Sequence, residues 1–118
     1  MASPTQITIQ ASSAINLSNL ADKGSGATKV NLAPGKYAVT LSNDNMQFKA
    51  ATPVLQVIIF NCSPLQTKSY ESWFSTVDAS GGTVLTAAEG QPLYVFIVDH
   101  MSISDNTGKA TVTFTPLF

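Results

Sequence analysis

Apolar and polar residues alternate with period two along several stretches of this chain. Gln6-Ile7-Thr8-Ile9-Gln10 is one such stretch. Lys36 to Ser42 is a second, with Tyr37, Val39 and Leu41 on one face, and Ala110 to Thr115 is a third, with Val112 and Phe114 inward and Thr outward. Period two is the signature of a β-strand with one buried face. Two further runs do not alternate. Val54 to Phe60 and Leu93 to Val98 are nearly continuous apolar sequence, which predicts strands buried on both faces or at the centre of a sheet. Shorter strands are expected at Lys29 to Leu32 and Thr83 to Thr86.

Turn chemistry separates these runs. In Ala33-Pro34-Gly35-Lys36 the Pro sets φ at the second position and the Gly takes positive φ at the third, as a type II turn requires. Asp78-Ala79-Ser80-Gly81-Gly82, Glu89-Gly90-Gln91-Pro92 and Asp105-Asn106-Thr107-Gly108 are further breaks. Residues 22–28 form the one Gly/Ser-rich stretch and read as a loop. Helix is admitted only around Ala14 to Ala21 or Ser69 to Phe74. Six or more short strands with this punctuation predict an all-β fold, an antiparallel β-sandwich of jelly-roll-like form. Residues 1–118 fit one domain, since a chain of this length supports one core.

Composition narrows the function classes. Charged residues are 11% of the chain against an ordinary ~25%, while the apolar share of 44% is usual. Disorder needs the opposite balance. The polar positions are filled by thirteen Ser and thirteen Thr. No apolar run approaches the ~20 residues of a membrane helix. The net charge is −1, and all six basic residues are Lys. Without Arg there are no bidentate contacts to phosphate or guanine, which argues against nucleic acid as a partner. Cys62 is the only Cys, so no internal disulfide forms. The N-terminus carries neither the charged nor the apolar region of a secretory signal. Cytoplasmic synthesis is expected, and any release would be signal-independent.

Catalysis needs positioned acids, bases or nucleophiles. The chain has one His, His100, and no G-x-S-x-G elbow or phosphate-binding loop. A non-enzyme is expected. The denser signal is Asp99-His100-Met101-Ser102-Ile103-Ser104-Asp105-Asn106. A carboxylate ends a strand, and a carboxylate and an amide follow across a loop that also offers main-chain carbonyls. These are hard oxygen donors of the kind calcium takes. Asp and Asn are equally ordinary turn formers, and the same residues serve to cap the turn before Lys109. A second polar loop, Asn43-Asp44-Asn45, ends another strand and is expected at the same end of the sandwich. Tyr70 and Trp73 supply aromatic surface, either for the C–H face of a sugar or to plug one end of the core.

The ending Gly90-Gln91-Pro92-Leu93-Tyr94-Val95-Phe96-Ile97-Val98-Asp99, then Asp105-Asn106-Thr107-Gly108-Lys109-Ala110-Thr111-Val112, resembles that of the galactophilic calcium-dependent bacterial lectins of the PA-IL type. Pro34-Gly35 followed by Tyr37 to Leu41 looks like the family's second strand entry, and Pro53 to Ile59 like its central strand. The similarity runs over residues 29–115. It implies a β-sandwich that holds calcium through the side chains of Asp99, Asp105 and Asn106. It also implies a carbonyl from Ser102 or Ile103, and another from the loop after the second strand. In those lectins the loop after the second strand is long and carries a His and a Gln that touch the sugar. Here residues 42–52 are short and hold no His, while Asn61 to Gly82 is long and holds Tyr70 and Trp73.

Two functions follow as expectations. The first is a galactose-binding-like, non-enzymatic carbohydrate-binding module, with calcium bridging sugar hydroxyls and with Asn43, Asp44, Asn45, Tyr70 and Trp73 as candidate sugar contacts. The second is a structural or protein-interaction sandwich without metal. Low charge weakens self-repulsion, which leaves room for a homo-oligomer in either case. The uncharged tail Pro116-Leu117-Phe118 is expected to be buried, against the sandwich or between copies.

Overall fold

Alternation of buried and exposed side chains organises every long strand of the molecule. The computed structural model describes residues 3–16, 26–48, 52–54, 56–62, 72–88, 92–99 and 106–117, with the backbone alone at 16, 62, 72 and 73. Its strands are β1 (Thr5–Gln10), β2 (Ile15–Asn16), β3 (Thr28–Val30), β4 (Gly35–Ser42), β5 (Gln47–Phe48), β6 (Thr52–Pro53), β7 (Gln56–Cys62), β8 (Ser72–Asp78), β9 (Thr83–Ala87), β10 (Leu93–Phe96), β11 (Val98–Asp99) and β12 (Lys109–Pro116). A single 3-10 turn, Ala11–Ser13, follows β1.

Two four-stranded sheets carry the fold, β1-β12-β4-β9 and β3-β10-β7-β8. All neighbours within them are antiparallel. Counting only these eight strands along the chain, the two orders read 1-8-3-6 and 2-7-4-5. That is the jelly-roll order, in which successive strands mostly cross between sheets. The all-β sandwich expected from the sequence is the observed fold.

Register sets the core. In the first sheet Ile7 lies opposite Val112 and Val112 opposite Leu41, and Phe114 lies opposite Val39. Their inward side chains meet Val57, Ile59, Val77, Leu93 and Val95 of the second sheet in one buried cluster. Phe114 is the largest of its fully buried side chains. The outward face of the first sheet is hydroxyl- and amide-rich, with Gln6, Thr8, Thr40, Ser42, Thr111, Thr113 and Thr115.

The structure refines four expectations. First, the strands formed by residues 56–60 and 93–96, β7 and β10, are the central pair of their sheet rather than buried on both faces. Val57 and Ile59, like Leu93 and Val95, are fully buried, but their outward neighbours Ile58, Phe60, Tyr94 and Phe96 are only half-buried. The second sheet therefore keeps an apolar outer surface. Second, neither helical stretch is helix where it is described. Ile15–Asn16 pairs in parallel with Val98–Asp99, and residues 72–74 belong to β8. Third, the short strand expected at 29–32 is shifted to Thr28–Val30. Fourth, residues 116 and 117 of the C-terminal tail are held against the sandwich by their backbone, and Phe118 lies outside the described residues. Pro116 lies opposite Tyr37, and the Leu117 N–H donates to the Lys36 carbonyl at 2.9 Å, yet the Leu117 side chain is exposed.

Candidate functional site

The loop after β4 meets the turn before β12 at one end of the sandwich. At the end of β4 the chain reverses through Asn43, whose φ of 53° is in the left-handed region that Asn tolerates better than most residues. Asp44 Oδ1 then accepts from the Met46 N–H at 2.9 Å. This local bond bends the loop and sends the Met46 side chain into the core. Asn45 reaches across to the other loop. Its N–H donates to the Lys109 carbonyl at 3.1 Å, and its Oδ1 accepts from the Lys109 N–H at 2.8 Å. Gln47 and Thr107 exchange a further pair of backbone bonds at 2.8 and 2.9 Å. Of the candidate sugar contacts Asn43, Asp44 and Asn45, each thus has a backbone task. Asp44 also lines the cleft described below.

Asn106, a candidate calcium ligand, is 5% exposed. Its Nδ2 donates to the Ala11 carbonyl at 3.0 Å, and its Oδ1 has no hydrogen-bond partner among the described residues. Buried amide oxygens without a donor are uncommon, and a hard cation is a partner such an oxygen accepts. The geometry of Asn106 therefore fits the donor set that calcium requires. Asp99 is half-buried at the end of β11, where it lies opposite Asn16. Residues 11–16 run from the Asn106 amide to this strand pair. Ser102, Ile103 and Asp105 lie outside the described residues, as do Tyr70 and His100. Trp73 has its backbone in β8, opposite Asn61. Among the described residues no three His, Cys, Asp or Glu side chains gather into a metal cluster.

The concavity that the sequence reading did not anticipate lies beside this end. A cleft of ≈ 720 Å³ is floored by the outer face of the second sheet, through Gln56, Ile58, Thr76 and Asp78. Its walls come from Phe48, Pro53 and Val54 of the β5–β6 hairpin region, from Ile97 and Val98 at the break between β10 and β11, and from Asp44, Ala79 and Ser80. Register explains the floor. Ile58 lies opposite Thr76, and Gln56 opposite Asp78, so all four side chains share the outward face. The break after β10 matters too, because β11 leaves β7 to pair with β2 and opens a gap there. The only hint in the sequence was the lack of alternation over 54–60. An outward Ile in a strand that is not covered has to face something other than the core.

The cleft carries two carboxylates, from Asp44 and Asp78. Asp78 Oδ1 accepts three hydrogen bonds, from the Ser80 Oγ at 3.0 Å and from the N–H groups of Ser80 and Gly81 at 2.9 and 2.7 Å. These bonds, the Ser80 hydroxyl foremost, hold the Asp78 carboxyl below its ordinary value of 3.8. It is a fixed anion and an acceptor at neutral pH. Gln56 and Thr76 add amide and hydroxyl groups between apolar surfaces. A volume within the ~300–1,000 Å³ usual for ligand sites, mostly apolar with a few converging polar groups, suits a small organic ligand. No family model, no curated protein and no solved structure matches this chain.

Proposed function

We propose that this chain is a non-enzymatic carbohydrate-binding module and that the cleft over the outer face of the second sheet is its sugar site. The observation that carries the reading is the lining itself. Ile58, Phe48 and Pro53 offer apolar surface for the C–H face of a sugar ring. Asp44, Gln56, Thr76 and Asp78 offer acceptors and donors for its hydroxyls. A sugar has both kinds of surface on one rigid ring and needs both kinds of partner.

Calcium belongs to the same proposal. Asn106 and Asp99 would hold it, with Asp105 and a carbonyl of Ser102 or Ile103, as the resemblance to the calcium-dependent lectins implies. Bound there, calcium would offer sugar hydroxyls places in its oxygen shell. Within this chain, Ala11 holds the Asn106 Nδ2, and the Oδ1, without a hydrogen-bond partner among the described residues, would be the ligand. Galactose-like sugars are the first ligands to try on the same ground.

A glycan array run with calcium and with chelator tests the reading. The expected result is retention of neutral glycans by the wild type and their loss in Gln56→Ala and Asp44→Ala. An array with no retained glycan in either condition would remove the carbohydrate reading. A metal-free interaction module would then take its place, an alternative that the 71% exposed Phe74 favours.

A further inference from the structure

We propose that the cleft takes an extended, uncharged saccharide chain rather than one terminal sugar, and that this chain runs up the outer face of the second sheet across Phe60, Phe74 and Tyr94. The inference rests on the carbohydrate reading of the cleft and adds the class of ligand. Register places the track. Tyr94 lies opposite both Lys29 and Phe60, and Phe60 lies opposite Phe74, so one row crosses all four strands. The row below it holds Phe96, Ile58 and Thr76, and the next holds Gln56 and Asp78.

The cleft floor is the lower part of this same face. Side chains on one face recur every second residue, and four residues separate Asp78 from Phe74. The aromatic row thus stands about 13 Å from the Gln56–Asp78 row at the far side of the cleft floor and about 7 Å from its nearer Ile58–Thr76 row, a span that a chain of two or more rings covers. Phe74 is 71% exposed although it neighbours half-buried Phe60. A contiguous exposed apolar surface of this kind marks a binding face.

Charge selects the polymer. The outward positions of β3, β10, β7 and β8 carry two charged side chains, Lys29 and Asp78, at opposite corners of the face. Among the described residues the sheet surface between them is uncharged, the cleft wall adds the Asp44 carboxylate, and no cluster of cations is there for a sulfated, phosphorylated or carboxylated chain. The outer face of the first sheet shows no aromatic residue at its paired outward positions. The rings are segregated onto the face that the cleft already uses.

Calorimetric titration with soluble glucose-, galactose- and N-acetylglucosamine-based oligosaccharides of one to six units tests this. Affinity is expected to rise about tenfold or more with length in the series that binds, since each added ring gains an aromatic contact. Phe74→Ala should abolish that rise while leaving the single unit's affinity unchanged, and Phe74→Gln should behave alike. Thr8→Ala on the opposite face should change neither. A flat dependence on length, or a rise that survives both Phe74 variants, would overturn the track and leave the cleft reading standing. No binding of any length in any series would overturn both. Sedimentation showing a dimer that Phe74→Ala dissolves would assign the face to a second copy of the chain and overturn the track.

Discussion

Gly108 is the position where one added methyl group matters most. Its φ is +89°, and a Cβ built there would overlap the Asn45 carbonyl. The two polar loops can approach only because that side chain is missing. Gly108→Ala is expected to cost at least about 2 kcal/mol and to lower the melting temperature by about 10 °C, read by thermal denaturation. Asp78 offers a pH test. Its carboxyl titrates lower in the folded protein than in the unfolded chain, so its contribution is complete above the unfolded value. That contribution is lost as the pH falls through the folded value. Asp78→Asn should therefore be less stable than the wild type at pH 7, and the difference should shrink in denaturation series taken towards pH 2. Asn106→Ala removes the bond to the Ala11 carbonyl and should cost about 1 kcal/mol without calcium. The same variant should remove any calcium response.

At the scale of the element, burial parity decides what a substitution does. Phe114 and Phe74 are both phenylalanines on strands, but β12 is central in its sheet and β8 is an edge. Phe114 faces the core and is fully buried. Phe114→Ala is expected to cost about 3–5 kcal/mol, and Phe74→Ala to stay within about 0.5 kcal/mol, both measured by urea denaturation. The tail follows the same logic. Deleting residues 116–118 removes the Pro116–Tyr37 pairing and the Leu117–Lys36 backbone bond. A loss of about 1 kcal/mol would lower the melting temperature by about 5 °C. Light scattering is expected to read the same association state for the full and shortened chains, since these bonds lie within one chain.

The whole molecule is two-sided. One outer face is paved with Thr, Ser and Gln and the other with Ile, Phe and Tyr, while both inner faces share one core. The cleft lies on the apolar side, next to the end where Asn106 is fixed. Under the proposed function, calcium would act on the molecule as a unit. A ligand that binds only the folded state stabilises it by about 2.7 kcal/mol at one hundred times its dissociation constant. Addition of calcium should therefore raise the melting temperature, and Asp105→Asn should reduce the shift while leaving the metal-free melting temperature close to that of the wild type. A melting temperature indifferent to calcium and chelator up to millimolar concentration would remove the ion from the proposal.

Strand positions were legible in the residues because period-two alternation is a local property. A strand with one dry face must place apolar side chains at every second position, as Tyr37, Val39 and Leu41 do. The all-β class followed from those runs and their turns. The loop after β4 was expected at the end of the sandwich where Asp99 to Asn106 lie, and Asn45 does bond there to Lys109, just beyond that stretch. The tertiary structure alone decided the rest. The partner of each strand depends on contacts between residues far apart in the chain, so the jelly-roll order could not be read from alternation. Continuous apolar runs read the same whether their outer side chains are covered or left open. Only pairing showed Ile58, Phe60, Tyr94 and Phe96 on an outer face, and only the departure of β11 from β7 towards β2 opened the cleft beside them. A site assembled from separate elements by register leaves no spacing motif along the chain.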